Sequence, residues 1–223
     1  MPYPVGHRAI VKRRIIESAR RLFHRHGFDN VSVQQIMSGA GLTHGGFYSY
    51  FRSKSALYAK VLACSFTDPE RNNPWEGVEV DLASSQAAAQ VVKAYLSRQH
   101  FEDVENSCSM VALPTDVMRS GEETKRAFEE VFAAMVQLLE QSVADEKQQR
   151  HATAQAVAAL CVGGMVVARA IENRVVADEL RAACMSIALR LGGWVDTGGW
   201  VDTSALKNGG RQQLVEECLT SVG

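Results

Sequence analysis

Gly41-Leu42-Thr43-His44-Gly45-Gly46-Phe47-Tyr48-Ser49-Tyr50-Phe51-Arg52-Ser53-Lys54 is short, aromatic, glycine-bearing and basic, and its reading decides the fold. Just upstream, Ser32-Val33-Gln34-Gln35 has the spacing of a capping box. In such a box the Ser32 hydroxyl accepts the Gln35 main-chain N–H while the Gln35 side chain reaches back to the Ser32 N–H. The spacing predicts a helix from Val33 that buries Ile36 and Ala40. Gly39 to Gly41 ends it, because glycine accepts positive φ at no steric cost, and Thr43, a good N-cap, opens the next. Helix, tight turn and helix is the result.

The second helix of such a unit lies in the DNA major groove with its first residues toward base edges, which here are Thr43, His44, Gly45 and Gly46. Two glycines inside a helix cost roughly 1 kcal/mol each relative to alanine, so local stability does not favour them. Close approach of the main chain to a base or phosphate does. Phe47 and Phe51, four apart, face the core of a small domain, which leaves Tyr48 and Tyr50 to donate phenolic hydrogens to phosphates. Ser53 caps a further helix, whose first turn carries Lys54 at the positive end of a helix dipole, a natural place for phosphate.

Residues from about 12 to 62 resemble the DNA-binding domain of the tetracycline-repressor (TetR/AcrR) family of bacterial transcriptional regulators. The resemblance is carried by Leu22-Phe23-His24-Arg25-His26-Gly27-Phe28, by Phe47-Tyr48-Ser49-Tyr50-Phe51 and by Ser53-Lys54. It implies groove contacts from Gln34, Thr43, His44, Gly45 and Tyr48, and phosphate contacts from Ser32, Thr43, Tyr48, Tyr50 and Lys54. It also implies an all-α fold, with a three-helix helix-turn-helix domain over 1–62 and a larger helical ligand-sensing and dimerisation domain over 63–223. In that family the last two long helices form a four-helix bundle across a two-fold axis, and a small-molecule effector releases the DNA. His44 stands where many members have lysine or another long side chain, and Gly46 where threonine is usual, so the operator sequence does not carry over.

Charge points the same way without the resemblance. Over residues 1–60, ten basic residues (Arg8, Lys12, Arg13, Arg14, Arg20, Arg21, Arg25, Arg52, Lys54, Lys60) face two acidic ones (Glu17, Asp29), a balance of +8 in a chain of net −1, which leaves −9 for the remainder. A basic head on an acidic body suits a polyanion partner, whose affinity would fall steeply with salt through counterion release. A solvated basic face on an ordinary helix is the bland alternative; the coincidence with a helix-turn-helix favours DNA.

At 223 residues and 46% hydrophobic content, the chain holds one small domain and one larger one with its own core. The start, MPYPVGHR, has no apolar run. The weakly polar stretch from Ala152 to Ala168 contains Thr153 and Gln155 and precedes Arg169, so it reads as a buried helix and no membrane partner is expected. Five cysteines (Cys64, Cys108, Cys161, Cys184, Cys218) are widely spaced and never form CxxC, as in a reduced, cytoplasmic protein. No cofactor or metal is implied: His24 and His26 lie two apart on different helix faces. Gly39-Ala40-Gly41 followed by Gly45 lacks the strand and spacing of a dinucleotide loop, and no GxSxG, Walker or HExxH motif occurs, which argues against an enzyme.

Beyond residue 65 the pattern is helical and strand signals are absent. A helix is expected over about 84–101, Pro114 ends or kinks the next segment, and Ser120-Gly121-Glu122-Glu123 reads as a second capping box. It opens a core helix with the stripe Phe128, Val131, Phe132, Met135, Leu138 and Leu139. Two further helices, over about 152–173 and 177–191, stop at Gly192-Gly193. Ala152, Ala156, Ala159, Gly163, Val167 and Ala170 on the first, with Leu180, Ala183, Ile187 and Leu191 on the second, suit close packing within the chain or against a second copy.

Candidates to line an effector pocket are Phe66, Trp75, Tyr95, Phe101, Met110, Met118, Phe132, Met135 and Met165, each of which also reads as ordinary core. Cys108 invites the idea of a thiol sensor, yet no basic residue lies within five positions of it and Glu102, Asp103 and Glu105 lie on one side, so a buried structural cysteine is the better reading. GGWVDT occurs in tandem at 192–197 and 198–203, too few copies for a repeat fold. A last helix over about 203–220 would pack through Leu206, Leu214 and Leu219. With the resemblance, the expected protein is a homodimeric regulator of double-stranded operator DNA, a repressor released by a small molecule. The runner-up is a ligand- or redox-responsive helical protein without sequence-specific DNA binding.

Overall fold

The computed structural model describes residues 7–67, 80–143 and 147–194, and every regular element among them is helical. In chain order these are α1 (His7–His26), α2 (Val33–Gly39), the 3-10 helix η1 (His44–Ser49), α3 (Lys54–Thr67), α4 (Ala87–Tyr95), α5 (Arg98–Glu102), α6 (Ser109–Ala112), α7 (Pro114–Arg119), α8 (Glu122–Glu140), α9 (Lys147–Ala170) and α10 (Arg174–Leu191). Trp75, the second GGWVDT copy and the expected last helix lie outside the described residues, as does the side chain of Phe66.

Two cores organise the chain. In the first, α1 buries Val11, Ile15, Ala19 and Phe23 at four-residue spacing against Ile36 and Met37 of α2, Phe47 of η1 and Leu57, Tyr58 and Leu62 of α3. Phe23 meets Tyr58 edge-on, with ring centres 5.1 Å apart. Leu113, Val117 and Ala127 belong to the same cluster, so α7 and α8 close a core begun by α1 to α3. The expected 62/63 boundary falls inside α3. The second core lies among α4, α8, α9 and α10, around Tyr95, Leu96, Met135, Leu139, Cys161 and Met165.

Several expected boundaries move, each for a local reason. The helix expected over 84–101 is broken, because the Ser97 hydroxyl accepts the His100 N–H at 3.1 Å and starts α5 as a new helix. The preceding helix α6 ends at Ala112, just before Pro114 as expected, and Pro114 also opens α7, where its missing N–H is harmless in a first turn. The second capping box is absent, since the Ser120 hydroxyl donates backward to the Val117 carbonyl at 2.7 Å and Gly121 takes the N-cap position without a side-chain bond. Asn173 caps α10 through the Val175 N–H at 3.0 Å, so α10 starts at Arg174.

Within α9, Gln149–Ala170 is long and apolar enough to cross a membrane by length and composition, which the sequence reading had denied it. Its apolar residues have another use. Ala154, Val157, Ala158, Cys161, Met165 and Ala168 are fully buried in the second core. The small-residue stripe Ala152, Ala156, Ala159, Gly163, Val167 and Ala170 is exposed on the protomer, as are Ala183, Ile187 and Leu191 of α10.

Candidate nucleic-acid interface

The capping box at the start of α2 is complete. Ser32 Oγ accepts the Gln35 N–H at 3.2 Å and Gln35 Oε1 accepts the Ser32 N–H at 2.8 Å. Ile36 and Ala40 are buried as expected, while Ser32 and Gln34 stay exposed. The turn passes through Gly41 at φ +67°, a conformation that side chains with a Cβ rarely adopt, and the Leu42 N–H returns to the Met37 carbonyl at 2.8 Å.

The element that follows is a 3-10 helix of six residues, not the α-helix expected. Gly45 and Gly46 account for the difference: they weaken α propensity, and short stretches of 3-10 geometry are common where it is weak. Thr43 takes the N-cap backbone conformation but makes no side-chain cap bond. Phe47 is fully buried and Phe51 nearly so, so the element is pinned from below. Thr43, His44, Gly45 and Tyr48 are exposed, Tyr48 to 65%, and Tyr50 is half-buried. Around Gly45 the space that a Cβ would take is open to 4 Å.

Basic side chains frame this strip. Arg14 Nη2 donates to the Ala40 carbonyl at 2.6 Å, and Arg8 Nη2 donates to the Ser49 carbonyl at 2.6 Å while its guanidinium lies 5.6 Å from the centre of the Tyr50 ring. Lys54, expected to contact phosphate, is engaged within the free chain. Its Nζ donates to the carbonyls of Phe28 at 2.8 Å and Val31 at 2.9 Å and sits 4.1 Å from the Phe28 ring centre. Partial burial there lowers its pKa. The ammonium grips the loop after α1 because three carbonyl and ring partners lie within its reach. Ser53 does cap α3 as expected, accepting the Ala56 N–H at 3.0 Å.

Sequence reasoning missed the polar links between this head and the rest of the chain. His24 is buried, with Nε2 2.9 Å from Ser109 Oγ and Nδ1 3.2 Å from the Glu105 carbonyl. Arg20 is buried beside it and donates to the Glu105 carbonyl and to Asn106 Oδ1. Their signal in the sequence was position: 20 and 24 each follow a residue of the buried 19 and 23 pair.

Of the expected pocket residues, Tyr95, Phe101, Met110, Met135 and Met165 are buried in the second core and Phe132 packs against it. Met118 is not with them. It is 74% exposed, because α7 turns Val117 inward instead. The Tyr95 hydroxyl is buried in this core beside the Cys108 thiol. Cys108 is a free, buried thiol whose pKa burial pushes up, which suits a structural cysteine better than a reactive one.

Residues 15–61, which contain α2, the turn and η1, match the family described as Bacterial regulatory proteins, tetR family. Residues 15–61 are a tetR-family domain. The chain is 32% identical over 122 residues to the HTH-type transcriptional regulator YerO of Bacillus subtilis, covering 54% of this chain and 41% of that protein. It is 36% identical over 55 residues to the HTH-type transcriptional repressor BdcR of Escherichia coli, covering 25% of this chain and 28% of that one. The chain thus spans less than half the length of these curated relatives. In fold the likeness extends further: E. coli NemR in its reduced form superposes with a TM-score of 0.63 at 18% identity, over 82% of this chain and 97% of NemR. A TetR-family regulator from Rhodococcus sp. gives 0.61 at 16% identity, over 82% and 99%. The tetR family and the named relatives are transcriptional regulators, not enzymes.

Proposed function

We propose that the protein is a sequence-specific DNA-binding transcriptional regulator, a repressor released from a palindromic operator by a small-molecule effector. The observation that carries this reading is the exposed strip Thr43-His44-Gly45 with Tyr48, backed by the buried rings of Phe47 and Phe51 on an element of the helix-turn-helix. Gln34, Thr43, His44 and Gly45 would meet base edges, and Ser32, Tyr48 and Tyr50 phosphates. The head over 1–62 would read DNA and the body over 63–223 would sense the effector and dimerise. The word repressor in the names of relatives such as BdcR supports the sign of regulation.

The exposed apolar face of α9 and α10 supports a homodimer. Val167 is 51%, Val176 45%, Ile187 41% and Leu191 46% exposed on the protomer, which is unfavourable unless a second copy covers them. Two heads related by a two-fold axis suit half-sites about 34–36 Å apart or a multiple of that. The apolar second core around Tyr95, Phe101, Met135 and Met165 supports an effector pocket there, coupled to DNA release by about 1–3 kcal/mol. A cytoplasmic location follows from this function.

The test is selection of duplexes from a random library by the purified protein, followed by footprinting of the enriched sequence. A protected palindrome with strong preference over scrambled DNA is the expected result. Binding insensitive to sequence would favour a ligand- or redox-responsive helical protein that does not read DNA.

A further inference from the structure

Cations counted toward the +8 of the head end on main-chain carbonyls, and two of these carbonyls bracket the exposed strip. Arg14 reaches 26 residues along the chain to Ala40, the C-cap of α2, and Arg8 reaches 41 residues to Ser49, the last residue of η1. The final carbonyls of a helix have no partner within it and carry partial negative charge, so a guanidinium there satisfies an acceptor and opposes the dipole. Ala40 closes the helix before the turn, and Ser49 closes the element after it. The exposed strip from Thr43 to Tyr48 lies between these two held points, with Gln34 on α2 just before the first.

The strip needs such support. A six-residue 3-10 helix with two adjacent glycines has poor internal geometry and little propensity of its own. Phe47 and Phe51 fix its underside. They do not fix its ends. Arg8 holds the far end and, 5.6 Å above the Tyr50 ring, also limits where that phenol points. A Cβ on Gly41 would stand 2.8 Å from Arg14 Nη2, so the turn and its clamp are fitted to each other.

We propose that Arg8 and Arg14 are positioning residues of the DNA-reading surface: they set the placement of residues 43–50 through main-chain carbonyls instead of neutralising phosphates. The proposal rests on the DNA-reading function above. It separates two quantities that a phosphate contact would tie together. Removing a phosphate contact weakens specific and non-specific binding alike and lowers the salt slope by about 0.9. Loosening the strip degrades base contacts and leaves the slope intact.

Arg8→Ala, Arg14→Ala and the conservative Arg8→Lys would be titrated, at several salt concentrations, against the duplex enriched by the wild-type protein and against its scrambled counterpart. The expected result is about a tenfold loss of specific affinity, little change on scrambled DNA and an unchanged salt slope. Arg8→Lys, which keeps one donor and the charge, should recover part of the loss. Parallel weakening on both duplexes with a slope reduced by about one, or no change on either, would overturn the proposal.

Hydrogen exchange in the free protein supplies a second readout that needs no DNA. Amides of 46–51 should exchange faster in Arg8→Ala, and those of 40–43 in Arg14→Ala, with an unchanged unfolding midpoint. Unchanged exchange in both variants would also overturn the proposal. Failure of the wild-type protein to discriminate between duplexes would count against the DNA-reading function, and exchange alone would then decide whether the arginines position the strip.

Discussion

The carboxylate of Asp116 accepts the main-chain N–H of Phe28 at 2.7 Å, so a residue of α7 caps the turn that ends α1. Gly27, next to it, has φ +76°, and a Cβ added there would stand 3.1 Å from Asp116 Oδ2. Asp116→Ala should lower unfolding stability by about 1–3 kcal/mol, since a part-buried N–H loses its acceptor. Gly27→Ala should cost about 1–2 kcal/mol through its left-handed backbone. Combined, they should cost less than the two losses added, because removing the carboxylate relieves the crowding but not the strain. Urea unfolding of the three variants measures this.

Lys54 and His44 should separate cleanly. Lys54→Met should lower stability by about 1–2 kcal/mol, because two loop carbonyls lose a charged donor, while the salt slope of DNA binding stays unchanged. A slope reduced by about one would instead give Lys54 a phosphate. His44 is exposed, so His44→Ala should leave stability within about 0.5 kcal/mol and alter the preferred duplex in a repeated selection.

His100 predicts a pH dependence of stability. The Cys108 N–H points at its Nε2 from 3.3 Å and can only donate, so Nε2 accepts and the ring proton sits on Nδ1, which donates to the Tyr95 carbonyl at 2.6 Å. Burial of this neutral ring lowers its pKa to about 3. The unfolded chain, with a histidine pKa of about 6.5, binds the extra proton first. Stability is therefore complete above that value and falls as pH drops from about 6.5 to 3, by an amount on the order of a few kcal/mol. His100→Gln should flatten that part of the profile relative to wild type in urea unfolding at pH 7, 5 and 4, although it is less stable at pH 7.

Ile187→Asp tests the apolar face of α10. Sedimentation velocity should show a dimer for the wild type and a monomer with unchanged helix content for the variant, because a carboxylate would be buried without a partner in the interface. A dimer that survives the substitution would place the interface elsewhere.

What the sequence made legible was local or periodic. Ser32 and Gln35 form their box because both partners lie within one turn, and Phe47 and Phe51 are buried as their apolar rings in a polar strip foretold, although the 3-10 geometry of η1 and its end at Ser49 were not. Where two local arrangements compete, reading failed. Ser97 restarts a helix that periodicity would continue, and Ser120 bonds backward instead of capping forward. The destinations of Arg8, Arg14 and Lys54 were out of reach for another reason. Their acceptors are carbonyls 23 to 41 residues away, and a carbonyl leaves no mark in a sequence. His24 and Arg20 were hidden in the same manner, since their distant partners are Glu105 and Asn106 in the loop before α6 and Ser109 at its start.

The open space around Gly45 has an evolutionary consequence. A Cβ introduced there meets nothing within 4 Å beyond its chain neighbours, and the adjoining His44 is exposed. Substitutions at these positions alter what the surface recognises without disturbing the core that Phe47 and Phe51 anchor, so they sit outside the usual conflict between new function and retained stability. A duplicated copy of this gene would be able to drift to a new target sequence by single steps at 44 and 45, each intermediate remaining folded.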